Sequence, residues 1–324
     1  MYLKYLNALI QFGVKGKMYK LSSEIIKNPF NYTGSKNRIM PLILDCIPEN
    51  IYELVDVFGG SGEVGLSIGL PCVYNDLNKP LTCIIKTFQE LPINLILDSI
   101  QVLIDSYDLS KNNKEGYLEL RKDFNEHKGY NFLDSKDGDK RWANCIALYV
   151  LICHSFNYYI TFNSKGEYNN PSGYNRSWFS ESLKDKLIKY KERLDQMCKF
   201  EVNCVDYNEI LDKYLVKDDL RNVLFFIDPP YLISEDIYSR NKVLKWTDDN
   251  EINLYQKLLT IHSKGGRIIL TNQLQKGDYK NEILQDFITE SSFDVVNTMV
   301  NFDNCSYQRK NKGYDKEILV KNFK

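Results

Sequence analysis

The chain has 324 residues, 43% of them hydrophobic and 26% charged, with a formal net charge of −1. That is enough chain for a sizeable core and more than one lobe, and the near-neutral balance excludes a protein that holds polyanions by bulk charge alone. No apolar run approaches the 18 or more residues of a membrane span; the eight cysteines form no C-x-x-C pair and the three histidines (His127, His154, His262) are scattered, so neither a zinc site nor any other metal site is expected, and free thiols in a reducing cytoplasm are.

In chain order, MYLKYLNALIQFGVKGKMYK has a short apolar stretch followed by Gln11 and two lysines, with no small-residue cleavage site. It reads as non-secretory, and residues 1–27 as an N-terminal extension forming a short amphipathic cap. NPFNYTGSKNRI is, taken alone, a turn with a lysine. Strand-like runs then follow at ELVDVF (53–58), PCVYND (71–76), KFEVNCVD (199–206), NVLFFID (222–228), GGRIILTN (265–272), FDVVNTMV (293–300) and KEILVKNF (316–323). The apolar runs are near-continuous, as in strands covered on both faces, and helix-like patterns lie between most of them. An α/β, doubly wound, seven-stranded Rossmann-like sheet is predicted. The short polar link between the last two runs makes one strand antiparallel. More than 120 residues separate the second and third runs, too many for one crossover. The chain therefore divides into a catalytic domain (28–110 and 195–324) and a mostly helical insert (111–194). The insert contains YLELRKDFNEHK, RWANCIALYVLICHSF and a turn-rich aromatic segment, and carries 15 basic against 11 acidic residues. His154, on the apolar helix, is expected to be packed or hydrogen-bonded.

DVFGGSGEVG places Gly60, Gly62 and Gly65 in a G-x-G-x-x-G pattern directly after a strand, with Asp76 at the end of the next strand placed to accept from the two hydroxyls of a ribose. A dinucleotide and S-adenosyl-L-methionine both fit that pattern. FIDPPYLI favours the second. An amino group on an aromatic ring is a poor nucleophile because its lone pair is delocalised. Two acceptors on its N–H bonds draw the lone pair out of the ring. Asp228 supplies one, and the carbonyl of Pro229, fixed by the Pro229-Pro230 pair, the other; Tyr231 offers a flat face for a base. The methyl group of a sulfonium stands opposite, for in-line displacement. A nicotinamide oxidoreductase would leave Asp-Pro-Pro-Tyr unexplained.

Pro29-Phe30-x-Tyr32-x-Gly34-x-Lys36, then Phe58-x-Gly60-x-Gly62, then Asp228-Pro229-Pro230-Tyr231, in that order, resembles the Dam-type, alpha-group DNA adenine-N6 methyltransferases over roughly residues 28 to 324. The resemblance implies S-adenosyl-L-methionine as cofactor and a flipped-out adenine in double-stranded DNA as substrate. It assigns Tyr32, Lys36, Phe58, Gly60, Gly62, Asp76, Asp206, Tyr207 and Asp228 to the cofactor. It also implies that FNSKGEYNNPSGYN is a β-hairpin entering DNA, with Asn163, Gly166, Tyr168, Asn169, Pro171 and Gly173 in register and Thr161 just before it; independently of the resemblance, Lys165, Tyr174 and Arg176 are basic and aromatic residues of the kind that hold phosphates and wedge a duplex. Ser35 replaces a frequent glycine. Thr161 stands where GATC-specific relatives carry a guanine-reading arginine, a contact threonine cannot copy, so GATC is not the expected target. Other substrates for the same chemistry are cytosine-N4, RNA adenine or a protein glutamine. Asp rather than Asn or Ser before the prolines, together with the large insert, favours DNA adenine. A catalytically idle DNA-binding module is at odds with the intact Asp228, Pro229 and Tyr231. A monomer is the expected state, and a cognate restriction endonuclease a companion such enzymes can have.

Overall fold

Near-continuous apolar runs become strands, buried on both faces at the centre of the sheet and open at its two edges. In a computed structural model, which describes residues 24–31, 34–127, 137–233, 246–298 and 316–324, β1 (Glu53–Asp56), β2 (Cys72–Asn75), β3 (Phe200–Asn203), β4 (Val223–Ile227) and β5 (Arg267–Lys276) pair in parallel. β8 (Lys316–Lys321) runs antiparallel between β5 and β7 (Asp294–Asn297). The order is β3-β2-β1-β4-β5-β8-β7, with one reversed strand in a mixed seven-strand sheet. An eighth strand, β6 (Tyr279–Lys280), folds back onto the end of β5. It was not expected: β5 continues to Lys276 through Gln273, Leu274, Gln275 and Lys276, whose single apolar residue carries too little of the signal of a covered strand. The link between the last two strands, and most of the N-terminal extension, lie outside the described residues; Ile26 is buried, its N–H donating to Ser67 Oγ at 3.0 Å.

Side-chain alternation sends successive strand residues to opposite faces. Leu54, Leu224, Phe226, Ile269 and Leu319 face one core. That core is covered by α1 (Met40–Asp45), α2 (Glu63–Ile68), α3 (Lys79–Glu90), α4 (Ile93–Ser106), α5 (Lys114–Glu126), α6 (Gly138–His154) and α7 (Glu181–Gln196). Val55, Phe225, Ile227, Ile268, Leu270, Ile318 and Val320 face the other, under α8 (Tyr207–Leu215), α9 (Asp248–Ser263) and α10 (Glu282–Ser291). α6 is buried along its last ten residues apart from Ala147, as its apolar sequence requires, and packs on α3, α4 and α5. Polar caps end the runs: Asn78, Asn113, Ser180 and Asn281 each accept a main-chain N–H from the first turn of the helix they open, and Thr247 and Asn250 form a capping box.

The chain leaves β1 for β2 and β3 on one side, then returns to β4 on the other. That reversal makes a crevice at the carboxyl ends of β1 and β4, where ligands of open α/β sheets bind. The glycine loop and Asp-Pro-Pro-Tyr both start there, joined by the Val57 N–H donating to the Phe226 carbonyl at 3.1 Å.

Candidate active site

After β1 the chain turns sharply. Gly60 and Gly62 have φ of +50° and +75°, a backbone that side chains other than glycine rarely adopt. A Cβ on Gly62 would also stand 3.0 Å from the Tyr190 hydroxyl, which donates to the Ser61 carbonyl at 2.8 Å. The turn aims the Gly60 N–H at Asp76 Oδ2 (2.8 Å), while Asp76 Oδ1 accepts from the Asn78 N–H at 2.7 Å. A carboxylate has about four lone-pair sites, so two remain for a pair of hydroxyls, as a ribose would present. Burial raises the Asp76 pKa and the two amides oppose that rise. Asp56, the last residue of β1, is fully buried, and among the described residues no group completes a well-formed hydrogen bond to either oxygen, the Gly65 amide opposing its rise in pKa only in part. Burial, then the nearby Asp228 and Asp76, push its pKa well above the usual carboxylate range.

The segment from Pro29 to Lys36 is held from two sides. Phe30 is buried against Phe88, Tyr149 and Tyr190, and Tyr149 donates to the Pro29 carbonyl at 3.1 Å. From the glycine-loop helix, Glu63 accepts from Ser35 Oγ (3.1 Å), Asn37 Nδ2 (3.1 Å) and the Lys36 main-chain N–H. Ser35 therefore makes a bond that a glycine cannot. Tyr32 lies outside the described residues.

Lys36 Nζ pairs with Asp228 Oδ2 at 2.8 Å, and Thr271 Oγ1 donates to Asp228 Oδ1 at 2.7 Å. The Tyr231 hydroxyl lies 3.3 Å from the same Oδ1 and donates to Glu317 Oε1, which is itself 3.7 Å from Lys36 Nζ. Burial works against the Lys36 charge, but Asp228 and Glu317 outweigh it and raise its pKa. The Tyr231 phenol is pushed well up, by burial first and by the two carboxylates next, so it stays a donor. Pro229 is buried behind this group. One partly open carboxylate at the crevice, with an ammonium, a hydroxyl and an aromatic ring around it, offers an acceptor for a polar N–H group beside a flat face.

The family profile described as D12 class N6 adenine-specific DNA methyltransferase matches residues 32–302, which include the glycine loop and Asp-Pro-Pro-Tyr. The chain belongs to that family. It is 30% identical over 306 residues to the modification methylase StsI of Streptococcus sanguinis, covering 93% of this chain and 44% of that protein. It is also 30% identical over 305 residues to the type II methyltransferase M.FokI of Planomicrobium okeanokoites (93% and 44%) and 27% identical over 310 residues to the modification methylase LlaI of Lactococcus lactis subsp. lactis (94% and 45%). The chain thus spans a little under half the length of these curated relatives.

Beside the glycine loop, Phe58 stands 5.6 Å from Tyr207 and 5.6 Å, edge-on, from Trp246. Asp206 caps α8, accepting from the Asn208 N–H at 2.9 Å. Trp246 escapes sequence reading because it sits in no periodic run. Its indole N–H donates to the buried Glu251 at 2.7 Å, and the same carboxylate accepts from Tyr255 (2.6 Å), Asn272 (3.0 Å) and Asn281 (2.8 Å).

The aromatic segment after α6 forms a hairpin held by two single bridges, Ser155 with Ser172 and Phe162 with Tyr168. Asn157 and Tyr158 enter it with φ of +54° and +58°. Asn163 closes the tip: its Oδ1 accepts from the Lys165 and Glu167 N–H groups at 2.9 and 3.0 Å, and its N–H donates to the Glu167 carbonyl at 2.9 Å. The Asn169 N–H donates to the Thr161 carbonyl at 3.1 Å. Lys165, Asn169, Pro171, Tyr174 and Arg176 are exposed, Thr161 and Asn163 half-buried. Tyr168 is buried and donates to the Tyr159 carbonyl at 2.9 Å, a prop beneath the hairpin. Asn125 and Asn170, which pattern reasoning missed, anchor it: Asn125 bonds both main-chain groups of Tyr168, and Asn170 Nδ2 donates to Ser155, Phe156 and Tyr159 oxygens. His154 accepts from the Phe179 N–H at 3.3 Å, and burial drives its pKa down to about 4.

Proposed function

We propose that the chain transfers a methyl group from S-adenosyl-L-methionine to the N6 amine of adenine in double-stranded DNA, at a defined sequence and on a base swung out of the duplex. The observation that carries this reading is Asp228. It stands at the topological switch point, with its side chain one-sixth exposed and one oxygen beside an ammonium, next to the turn whose carboxylate Asp76 keeps two acceptor sites. The cofactor supplies an electrophilic methyl group on a sulfonium.

Asp228 and the Pro229 carbonyl accept from the two N–H bonds of the amine and take up positive charge as it develops on nitrogen; Pro230 fixes the kink; Tyr231 stacks on the base. Asp76 takes the ribose hydroxyls. Gly60 and Gly62 hold the turn against the methionine end, with Lys36. Phe58, Asp206 and Tyr207 border the adenine of the cofactor. The insert (111–194) recognises DNA through Thr161, Asn163, Lys165, Asn169, Pro171, Tyr174 and Arg176, with Tyr168 holding the hairpin that carries them. Residues 28–110 and 195–324 form the catalytic domain. Among the described residues no helix is long and apolar enough to cross a membrane, and we place the chain in the cytoplasm, monomeric on DNA. Two of the relatives, those of Streptococcus sanguinis and Lactococcus lactis, are modification methylases, which supports a partnership with a restriction endonuclease of the same specificity.

The test is incubation with methyl-labelled cofactor and unmodified DNA, followed by nucleoside analysis. N6-methyladenine that disappears in Asp228→Ala is expected. Label on cytosine, RNA or protein, or an unaffected Asp228→Ala enzyme, overturns the reading.

A further inference from the structure

We propose that Glu317 is a positioning residue of the transfer site, holding the Tyr231 ring in the plane on which the base stacks. This rests on the reading above and extends it to a residue outside the motifs. Alternation puts it there. Phe226 on β4, Ile269 on β5 and Leu319 on β8 all face the first core; two residues on from Phe226 and Ile269 are Asp228 and Thr271, and two back from Leu319 is Glu317. All three polar residues therefore emerge on one face of the sheet at its carboxyl edge. β8 lies next to β5 because it is the reversed strand, with Thr271 opposite Leu319 and Gln273 opposite Glu317.

The Glu317 side chain is 4% exposed. Its Oε1 takes the Tyr231 hydroxyl and lies 3.7 Å from Lys36 Nζ. A buried carboxylate is costly unless paired and hydrogen-bonded, and these are the groups that compensate it. A phenol has one proton. With Glu317 holding it, Tyr231 does not spend it on Asp228, whose Oδ1 then takes the Thr271 hydroxyl and keeps acceptor capacity for the amine. A tyrosine released from Glu317 loses its fixed ring plane and competes for the acceptor that the reaction needs.

The test uses the full chain. Glu317→Leu keeps buried volume and removes the acceptor; Glu317→Gln keeps an acceptor. Each is made in the native and in the Tyr231→Phe background, with kcat and KM measured on unmodified DNA. Expected is a kcat about ten-fold lower for Glu317→Leu at nearly unchanged KM, and recovery to within about three-fold for Glu317→Gln. The gap between the two variants should shrink below about two-fold in the Tyr231→Phe background, since Glu317 then has no hydroxyl to hold. A gap that persists without the hydroxyl, or a native kcat in Glu317→Leu, overturns the proposal. A second arm needs no turnover and covers a leucine variant that does not fold: 3-fluorotyrosine at position 231, followed by fluorine NMR against pH. The resonance should titrate with the Glu317 carboxyl and lose that titration in Glu317→Gln; the same titration in both proteins refutes the clamp. If the native chain leaves DNA unmethylated while the fluorine titration behaves as expected, the substrate reading fails and the clamp stands.

Discussion

Thr271 and Asn272 are neighbours on β5, yet each serves a different carboxylate. Thr271 turns to one face of the sheet and donates to Asp228; Asn272 turns to the other and donates to Glu251. Glu251 is fully buried and receives four hydrogen bonds, from Trp246, Tyr255, Asn272 and Asn281, all neutral donors. Its Oε1 takes three of them and its Oε2 the fourth, and the cluster ties α9, α10 and β5 together. Asp228 is partly open and faces a cation on one oxygen and a hydroxyl on the other. The saturated carboxylate belongs to stability. The unsaturated one is the carboxylate that the proposed transfer uses, because an acceptor can take a substrate N–H only if its lone pairs are not already committed.

Isosteric amides test the contrast most directly. Asp228→Asn keeps the shape, halves the acceptors and removes the charge facing Lys36. Methyl transfer should fall on the order of 10²–10³-fold, as for loss of one preorganised electrostatic group, with the midpoint of denaturation nearly unmoved. Glu251→Gln should do the reverse. Its amide nitrogen meets donors where an oxygen met them, so at least one bond becomes a clash, and unfolding free energy should drop by about 2–3 kcal/mol in a denaturant titration. Folded Glu251→Gln enzyme at low temperature should keep kcat within a few-fold. A stable Glu251→Gln protein with lost activity would invert the assignment of the two clusters.

What the sequence reveals of these clusters follows from how each is built. Strand runs and the Gly60–Gly62 turn are local, so the sheet, its reversed strand and an acid at the end of the second strand are legible from residue order, whereas the Gly60 N–H bond to Asp76 appears only in the fold. Asp228 stands out because two prolines mark it. Glu317 and Glu251 do not stand out: one is the second residue of an ordinary strand run and its partner Tyr231 lies 86 residues away; the other is a first-turn acid of a helix, with Asn272 and Asn281 joining the nearby Trp246 and Tyr255 from 21 and 30 residues on. Glu63 is hidden likewise, since its grip on Ser35, Lys36 and Asn37 joins segments 26 to 28 residues apart. The hairpin was legible as a motif, but the burial of Tyr168 was not, because Asn125 and Tyr159 reach it only after α5 and α6 have packed.

A third buried polar group, His154, extends the comparison to pH. It is neutral and single-bonded, with its pKa driven down to about 4 by burial. An unfolded histidine titrates near 6.5, so the unfolded chain binds the proton first as pH falls. Native stability is therefore intact above about pH 6.5 and erodes between there and about pH 4. The loss should reach about 2 kcal/mol by pH 5. His154→Gln, whose amide oxygen can accept the same Phe179 N–H, should flatten that part of the stability curve; an unchanged pH slope would mean that another group carries it.

The smallest expected effect is the most specific to the Asp228 cluster. Thr271→Val removes a hydroxyl and leaves the shape of a β-branched residue whose place in the sheet is fully buried. Asp228 Oδ1 loses its best-placed neutral donor and keeps the longer approach from Tyr231. The carboxylate is then held mainly through Oδ2 by Lys36, its Oδ1 is less firmly aimed, and methyl transfer should fall about ten-fold, a cost near 1.4 kcal/mol in the barrier. DNA binding should stay within about two-fold, because the hydroxyl points at the carboxylate and not at the duplex. Valine also leaves the hydrogen bonds of Asn272 to Glu251 and Tyr255 alone, since these lie across the sheet. Thr271→Val combined with Glu251→Gln should therefore show additive losses, one in kcat and one in unfolding free energy. Strong coupling between two clusters fed by adjacent residues of one strand would mean that the sheet transmits what alternation is argued here to separate.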